Sequence, residues 1–204
     1  MTVEWMQQWG SLIVFAFVMS ITPGPNNLML MTSGANFGAR RSVPHVMGVT
    51  FGHSFMILIL GFGLVELIQQ VPLFLVVVRW LGAGYLVYLA YQLSGVRMSN
   101  QAPSQAVAVA RPMTFLQAVL FQWVNPKGWA MAVTALSLFV ENHTFANVVA
   151  VALVFAGTNF PCITTWMLMG VKIRQWLRTE AAVKRFNLLM VFLLLGSLIA
   201  LLME

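Results

Sequence analysis

The chain has 204 residues, of which 60% are hydrophobic and 8% charged, against roughly 45–50% apolar and 25% charged in a typical soluble domain. A membrane span takes about 20 mostly apolar residues, because the hydrocarbon core is roughly 30 Å thick and a helix rises 1.5 Å per residue. Six such spans with short loops use nearly the whole chain, which excludes a separate soluble catalytic or nucleic-acid-binding domain and leaves the net charge of +6 to be explained by where the cations sit.

The apolar runs predict spans at about 8–32, 45–65, 71–92, 114–139, 145–170 and 185–203. The segment before Gly10 carries no Lys or Arg, and no small-residue cleavage site follows the first run, so it reads as the start of a span rather than a signal peptide. The first span is interrupted by Thr22-Pro23-Gly24-Pro25-Asn26-Asn27. The second holds His53 and Gly48-xxx-Gly52, with Gly34-xxx-Gly38 just before it; such small-residue pairs let helices approach closely, within a chain or between copies. Arg79 in the third span either reaches a polar cavity or snorkels to the headgroups. Ser94 to Pro112, rich in Ser, Gln, Ala and Pro, has the composition of a flexible linker. Asn125-Pro126-Lys127-Gly128 interrupts the fourth span, and Gly157-Thr158-Asn159-Phe160-Pro161 predicts a third polar break in the fifth. The sixth is almost wholly apolar apart from Asn187 and Ser197, and is expected to face lipid or a partner subunit. Trp5, Trp9 and Trp176 stand where indoles settle at the headgroup level. Cys162, the only cysteine, excludes an internal disulfide and a cysteine-based metal cluster.

Arg40 and Arg41 fall in the first loop, Arg97 and Arg111 in the third, and Lys172, Arg174, Arg178, Lys184 and Arg185 in the fifth. These alternate loops share one face, which the positive-inside bias makes cytoplasmic, with both termini on the periplasmic side. Glu4, Glu66, Glu141 and Glu204 fall on the other face. The expected architecture is therefore an all-α integral membrane protein, a single membrane domain of six transmembrane helices. It divides into two three-helix repeats, about 1–93 and about 114–204, joined by a linker at about 94–113. An odd number of spans per half inverts the second repeat relative to the first.

The breaks in the first and fourth spans lie roughly 11–15 residues in, on the order of 20 Å deep. Proline has no amide hydrogen and crowds the carbonyl four residues back, so Pro23, Pro25, Pro126 and Pro161 should release the carbonyls of Met19, Ile21, Gln122 and Gly157. Such groups persist in a membrane only when buried in protein or lining a wet cavity, and paired breaks point to a transporter binding site. Kinking for helix packing is the plainer alternative. The half-helix that restarts at Pro25 presents amide hydrogens and a positive dipole end suited to a carboxylate, with Asn26 and Asn27 adding donors and acceptors. Lys127 favours the functional reading, since a charge near the bilayer centre costs at least about 2.5 kcal/mol and usually faces a pathway. It could bind a solute carboxylate or titrate during a cycle. The chain has no Asp, and no Glu lies deep in a span, so proton coupling would fall to Lys127 or His53; His53 could equally be a neutral bridge between helices. Asn159 either completes the site or is ordinary interhelical glue.

Three segments carry a family resemblance: Thr22-Pro23-Gly24-Pro25-Asn26, Leu81-Gly82-Ala83-Gly84-Tyr85-Leu86-Val87-Tyr88-Leu89, and Asn125-Pro126-Lys127. They are similar to the lysine exporter and homoserine/threonine resistance (LysE/RhtB) family of amino-acid exporters over essentially the full length. Asn27 and Val133-Thr134-Ala135-Leu136-Ser137-Leu138-Phe139-Val140 look closest to the branch that exports cysteine and O-acetylserine. Ala90 departs from the glycine expected after Leu89, which puts close helix contact there in doubt. The resemblance implies proton-driven efflux of amino acids or their derivatives across a bacterial inner membrane, by a protein that forms a homodimer.

The expected function is thus an amino-acid efflux transporter working by alternating access about a midplane site of Asn26, Asn27, Asn125, Lys127 and Asn159, shaped by Pro23, Gly24, Pro25 and Pro126. Its expected partners are a small amino-acid-like solute and the lipid bilayer, with no cofactor, metal or nucleic acid. A membrane-embedded enzyme is disfavoured, since His53 and Ser54 are helix neighbours that face apart and acidic metal ligands are absent. A passive channel or non-transporting scaffold is the remaining alternative.

Overall fold

The computed structural model describes residues 2–64, 72–94, 111–140 and 144–203, and all regular structure among them is helical. The first apolar run forms α1 (Thr2–Ile21) and α2 (Pro25–Phe37), bent by 54° at the intervening break. There follow α3 (Ala39–Ile59), which runs into a π-helical turn (Leu60–Leu64), and α4 (Pro72–Ser94). The second half comprises α5 (Phe115–Gln122), α6 (Pro126–Phe139), α7 (Phe145–Arg174) and α8 (Glu180–Met203). Among the described residues Ala39–Gly63, Val76–Ser94 and Phe145–Arg174 are long and apolar enough to cross a membrane, and the bent α1–α2 pair passes the same test when its two helices are taken together as one span. The expected fourth span is divided into α5, of 8 residues, and α6, of 14, and the expected sixth corresponds to the 24 residues of α8.

Two local expectations need correction. The second span begins at Ala39, not near 45, so Arg40 and Arg41 occupy the first turn of α3 rather than a loop. Gly38 explains this: at φ 80° it takes a conformation that side chains resist, its amide closes α2 on the Gly34 carbonyl at 3.0 Å, and α3 starts at the next residue. The fifth span is also unbroken, with α7 running through Pro161 for 30 residues. A proline removes only its own amide from the ladder, and around it Thr158 Oγ1 donates to the Val154 carbonyl at 2.8 Å and Thr165 Oγ1 to the Pro161 carbonyl at 2.9 Å. Arg97, Glu66, Glu141 and Glu204 lie outside the described residues, as do the side chains of Glu4, Trp5 and Ser197. Trp9 is half-buried against the core, and Trp176 is exposed.

α7 is the centre of the bundle, packing on α1, α2 and α3, while α3 packs on α5 and α4 on α8. The closest approach is between α2 and α7. A Cβ on Gly34 would strike the Met167 carbonyl, and one on Gly170 would strike the Met31 carbonyl, so the two backbones touch directly. Gly48 and Gly52 serve contact within the chain: a Cβ would fall 2.7 Å from Ala118 Cβ at the first and 2.7 Å from Val119 Cα at the second. Ala90 is buried despite its departure from glycine. On α8, Val183, Phe186, Asn187, Met190 and Leu194 form a buried stripe at helical spacing, opposite exposed Leu188, Leu189, Phe192 and Leu193. Asn36 Nδ2 donates to Asn187 Oδ1 at 2.9 Å, tying α2 to α8. The outward faces carry Val14, Phe17, Leu73, Trp80, Leu138 and Leu153, as surfaces against lipid do. Arg174 reaches across to Gly38, which sets the end of α7 beside Arg40 and Arg41 and gathers cations at one end of the bundle.

Gly170→Leu should force α2 and α7 apart and destabilise the fold by at least about 1–3 kcal/mol, the range for overpacking. Gly157→Ala, where a Cβ meets nothing within 4 Å, should be neutral or stabilising. Thermal denaturation of the purified variants in detergent checks both.

Candidate functional site

The break between α1 and α2 exposes backbone carbonyls that find donors from three other places in the fold. Thr22 Oγ1 donates to the Met19 carbonyl at 3.1 Å, and Trp166 Nε1, from α7, donates to the Ile21 carbonyl at 3.0 Å. These are the two carbonyls released by Pro23 and Pro25. Asn27 Nδ2 turns back to donate to the Ser20 and Thr22 carbonyls at 2.8 and 2.7 Å. Lys127, from the first turn of α6, donates through Nζ to the Thr22 carbonyl at 2.8 Å, to Thr22 Oγ1 at 2.9 Å and to the Pro23 carbonyl at 3.4 Å. An ammonium has three donors, and all three point at the first break. The cation also sits at the carboxyl end of α1, where the helix dipole is negative. Gly24 makes room for it, since a Cβ there would lie 2.9 Å from Lys127 Cδ and 3.2 Å from Nζ.

The second break is a tight turn in which the Trp123, Val124 and Asn125 amides bond carbonyls three residues back at 3.1 to 3.3 Å, so the Gln122 carbonyl is already engaged. α6 then restarts with Pro126 at its first position, as α2 does with Pro25, where a missing amide hydrogen leaves no bond unmade. The breaks are not at equal depth within their helices, because α5 begins only at Phe115 and supplies 8 residues before its break against 20 in α1. They nevertheless meet. Asn26 Nδ2 donates to Gln122 Oε1 at 2.9 Å, and Gln122 Nε2 returns a bond to Asn26 Oδ1 at 3.4 Å while also reaching the Ala118 carbonyl at 2.8 Å. His53 Nε2 lies 3.2 Å from the Gly128 carbonyl, to which a neutral imidazole donates, so His53 bridges α3 and α6.

Asn26, Asn27, His53, Asn125, Lys127 and Asn159 all line one cavity of about 340 Å³, its open mouth included. Pro23, Pro25 and Pro126 shape the backbone around it without lining it. Arg79 and Cys162 lie elsewhere. Three buried polar atoms at the site have no hydrogen-bond partner: Ser20 Oγ, His53 Nδ1 and Asn125 Oδ1. With Nε2 donating, His53 Nδ1 is an acceptor, as is Asn125 Oδ1, so the walls hold unspent acceptors in the same cavity that Lys127 lines. Gln122, Ser20 and Trp166 belong to the site, although sequence patterning does not single out their side chains. An amide three residues before Asn125, at the end of a helix whose one other polar residue, Gln117, lies in its first turn, is the signal that points to Gln122.

Residues 17–203 match the LysE type translocator family. The chain belongs to that family. Members are translocators rather than enzymes, so the helix breaks described above lie in a membrane transporter. The translocator is 32% identical to a cysteine/O-acetylserine efflux protein of Klebsiella pneumoniae over 163 residues, covering 78% of this chain and 79% of that one. It is 24% identical over 204 residues to a homoserine/homoserine lactone efflux protein of Salmonella typhimurium, covering 98% of each chain. It is 26% identical over 183 residues to a cysteine/O-acetylserine efflux protein of Escherichia coli K12, covering 88% of this chain and 90% of the relative. No solved structure gives a significant match.

Trp166→Phe keeps an aromatic ring on α7 but leaves the Ile21 carbonyl without its donor. It should lower stability by about 1–3 kcal/mol, the range for an orphaned buried polar group, as read from unfolding midpoints of the translocator in detergent.

Proposed function

We propose that the translocator exports a small neutral amino acid or a close derivative of one across the bacterial inner membrane, from a site at the two helix breaks. The observation that carries this reading is the position of Lys127. Its ammonium reaches from the second half of the chain into the break of the first, within the same cavity as Asn26, Asn27, Asn125 and Asn159. A zwitterionic solute needs a cation for its carboxylate and acceptors for its ammonium. Lys127 would exchange the Thr22 and Pro23 carbonyls for the solute carboxylate, while Asn125 Oδ1 and His53 Nδ1 would receive the ammonium. The efflux names of the relatives support the solute class.

In this reading the first and fourth apolar runs each form one broken span of a six-span bundle, whose inverted halves rock about the site. The basic end faces the cytoplasm and both termini the periplasm. The proton gradient drives export, with Lys127 or His53 carrying the proton, since no carboxylate stands among the residues lining the cavity.

Uptake of labelled cysteine, O-acetylserine, homoserine, threonine, leucine and lysine into inside-out vesicles, with and without a proton gradient, tests the reading. Gradient-dependent accumulation of a neutral solute is expected, reduced by about tenfold or more in Lys127→Ala, since a bond to a charged group contributes about 1.5–3 kcal/mol and 1.4 kcal/mol is a factor of ten. Equilibration without accumulation would identify a passive channel. No uptake of any amino acid by well-inserted protein would remove the solute class.

A further inference from the structure

A second cavity of about 500 Å³, its open mouth included, opens between α2, α3, α4 and α8 and the segment that precedes α5. It shares α2 and α3 with the first but lies nearer their junction at Gly38. Along α2, Ser33 is six residues beyond Asn27, and along α3, His45 is eight residues before His53, which are offsets of about 9 and 12 Å at 1.5 Å per residue. The two cavities are therefore separate places on the same pair of helices.

The chemistry of the second cavity is set by His45. The residue is 1% exposed, it lines the cavity, and neither ring nitrogen has a hydrogen-bond partner. A buried imidazole carries one donor and one acceptor in its neutral form, and leaving both unmade is a feature that folded proteins avoid unless a ligand or water supplies the partner. Neighbouring hydroxyls do not supply it: Ser33 and Ser42 bond each other at 2.8 Å, and Thr32 Oγ1 donates to the Leu28 carbonyl at 2.8 Å. Arg111 stands on the wall with its side chain exposed, and its guanidinium is the group best shaped to take a carboxylate with two parallel bonds. Apart from Gln92, whose amide bonds the Tyr88 hydroxyl, the remaining wall is apolar, with Met29, Leu89, Leu93 and Met113.

We infer that this cavity is a second solute site, which holds an amino acid with an apolar side chain through its carboxylate on Arg111, a polar contact to His45, and side-chain burial between α2 and α4. The class of solute rests on the exporter reading, while the site stands on its own residues. It lies toward the end of the bundle where Arg40, Arg41 and Arg174 gather, which the exporter reading makes the loading side.

The test uses the full chain in membrane vesicles, with Cys162→Ala removing the one native thiol and Gln92→Cys placing a reporter on the exposed cavity wall. The rate of alkylation by N-ethylmaleimide is measured with increasing L-leucine and with L-leucinamide, which lacks the carboxylate. Leucine should slow alkylation by about tenfold at nine times its half-protecting concentration, as single-site occupancy requires, and leucinamide should not. Protection should survive Lys127→Ala and be lost in Arg111→Gln. Absence of protection by leucine, or equal protection by leucinamide, overturns the site, in reporter protein whose thermal unfolding midpoint in detergent matches that of the unsubstituted chain. Protection lost with Lys127→Ala but kept in Arg111→Gln overturns it in favour of the first cavity. Protection that follows the anionic lipid content of the vesicles and ignores added solute overturns it in favour of a lipid headgroup. Leucine protection in a protein that transports nothing would leave this site standing while the exporter reading falls.

Discussion

A backbone carbonyl that faces neither water nor a helical partner must be given a donor, and the carbonyls at the end of α1 organise the rest of the molecule around that need. Met19, Ser20, Ile21, Thr22 and Pro23 receive theirs from Thr22, Asn27, Trp166 and Lys127. Two of these donors come from the second half of the chain. The break is thus the place where the halves are bonded together, and any side chain that leaves it to meet a solute must be replaced by the solute or by water. Lys127 is suited to that exchange because three bonds to neutral oxygens compete with one carboxylate that carries a full charge.

Glycine packing holds the frame in which this happens. Where Gly34 and Gly170 bring α2 and α7 into backbone contact, there are no rotamers to rearrange, so this pair presents Asn27 and Trp166 to the break in fixed register. The contact of Gly48 and Gly52 with α5 does the same for Gln122, which couples to Asn26. Gly82 on α4 packs against the Val124 carbonyl, so the second break is supported from behind.

Much of this arrangement is legible in the sequence because it rests on local rules. Pro25 and Pro126 mark helix restarts by their lack of an amide hydrogen, and Lys127 is conspicuous in an apolar run. The within-chain use of Gly48 and Gly52 follows from their spacing but needs the structure to separate it from a seam between copies. What the sequence leaves dark is pairing at a distance. Trp166 reads as one more aromatic in an apolar helix, and only the fold shows that its indole N–H answers a carbonyl 145 positions away. His45 escapes notice because its significance lies in having no partner. Pro161 misleads in the opposite sense: it has the composition of a break, yet Thr158 and Thr165 engage carbonyls around it and α7 continues.

The single residue between α2 and α3 has a mechanical consequence. Consecutive Cα atoms across Gly38 are held about 3.8 Å apart by the peptide geometry, so α2 and α3 cannot slide apart at that end and can only splay like a wedge with its apex there. Asn27 lies 11 residues from the apex, or about 16 Å along α2, so a rotation of about 10° widens the seam by about 3 Å at that level and by less than half as much beside Ser33. Opening of this seam therefore acts mostly on the cavity at the helix breaks and spares the one nearer the hinge.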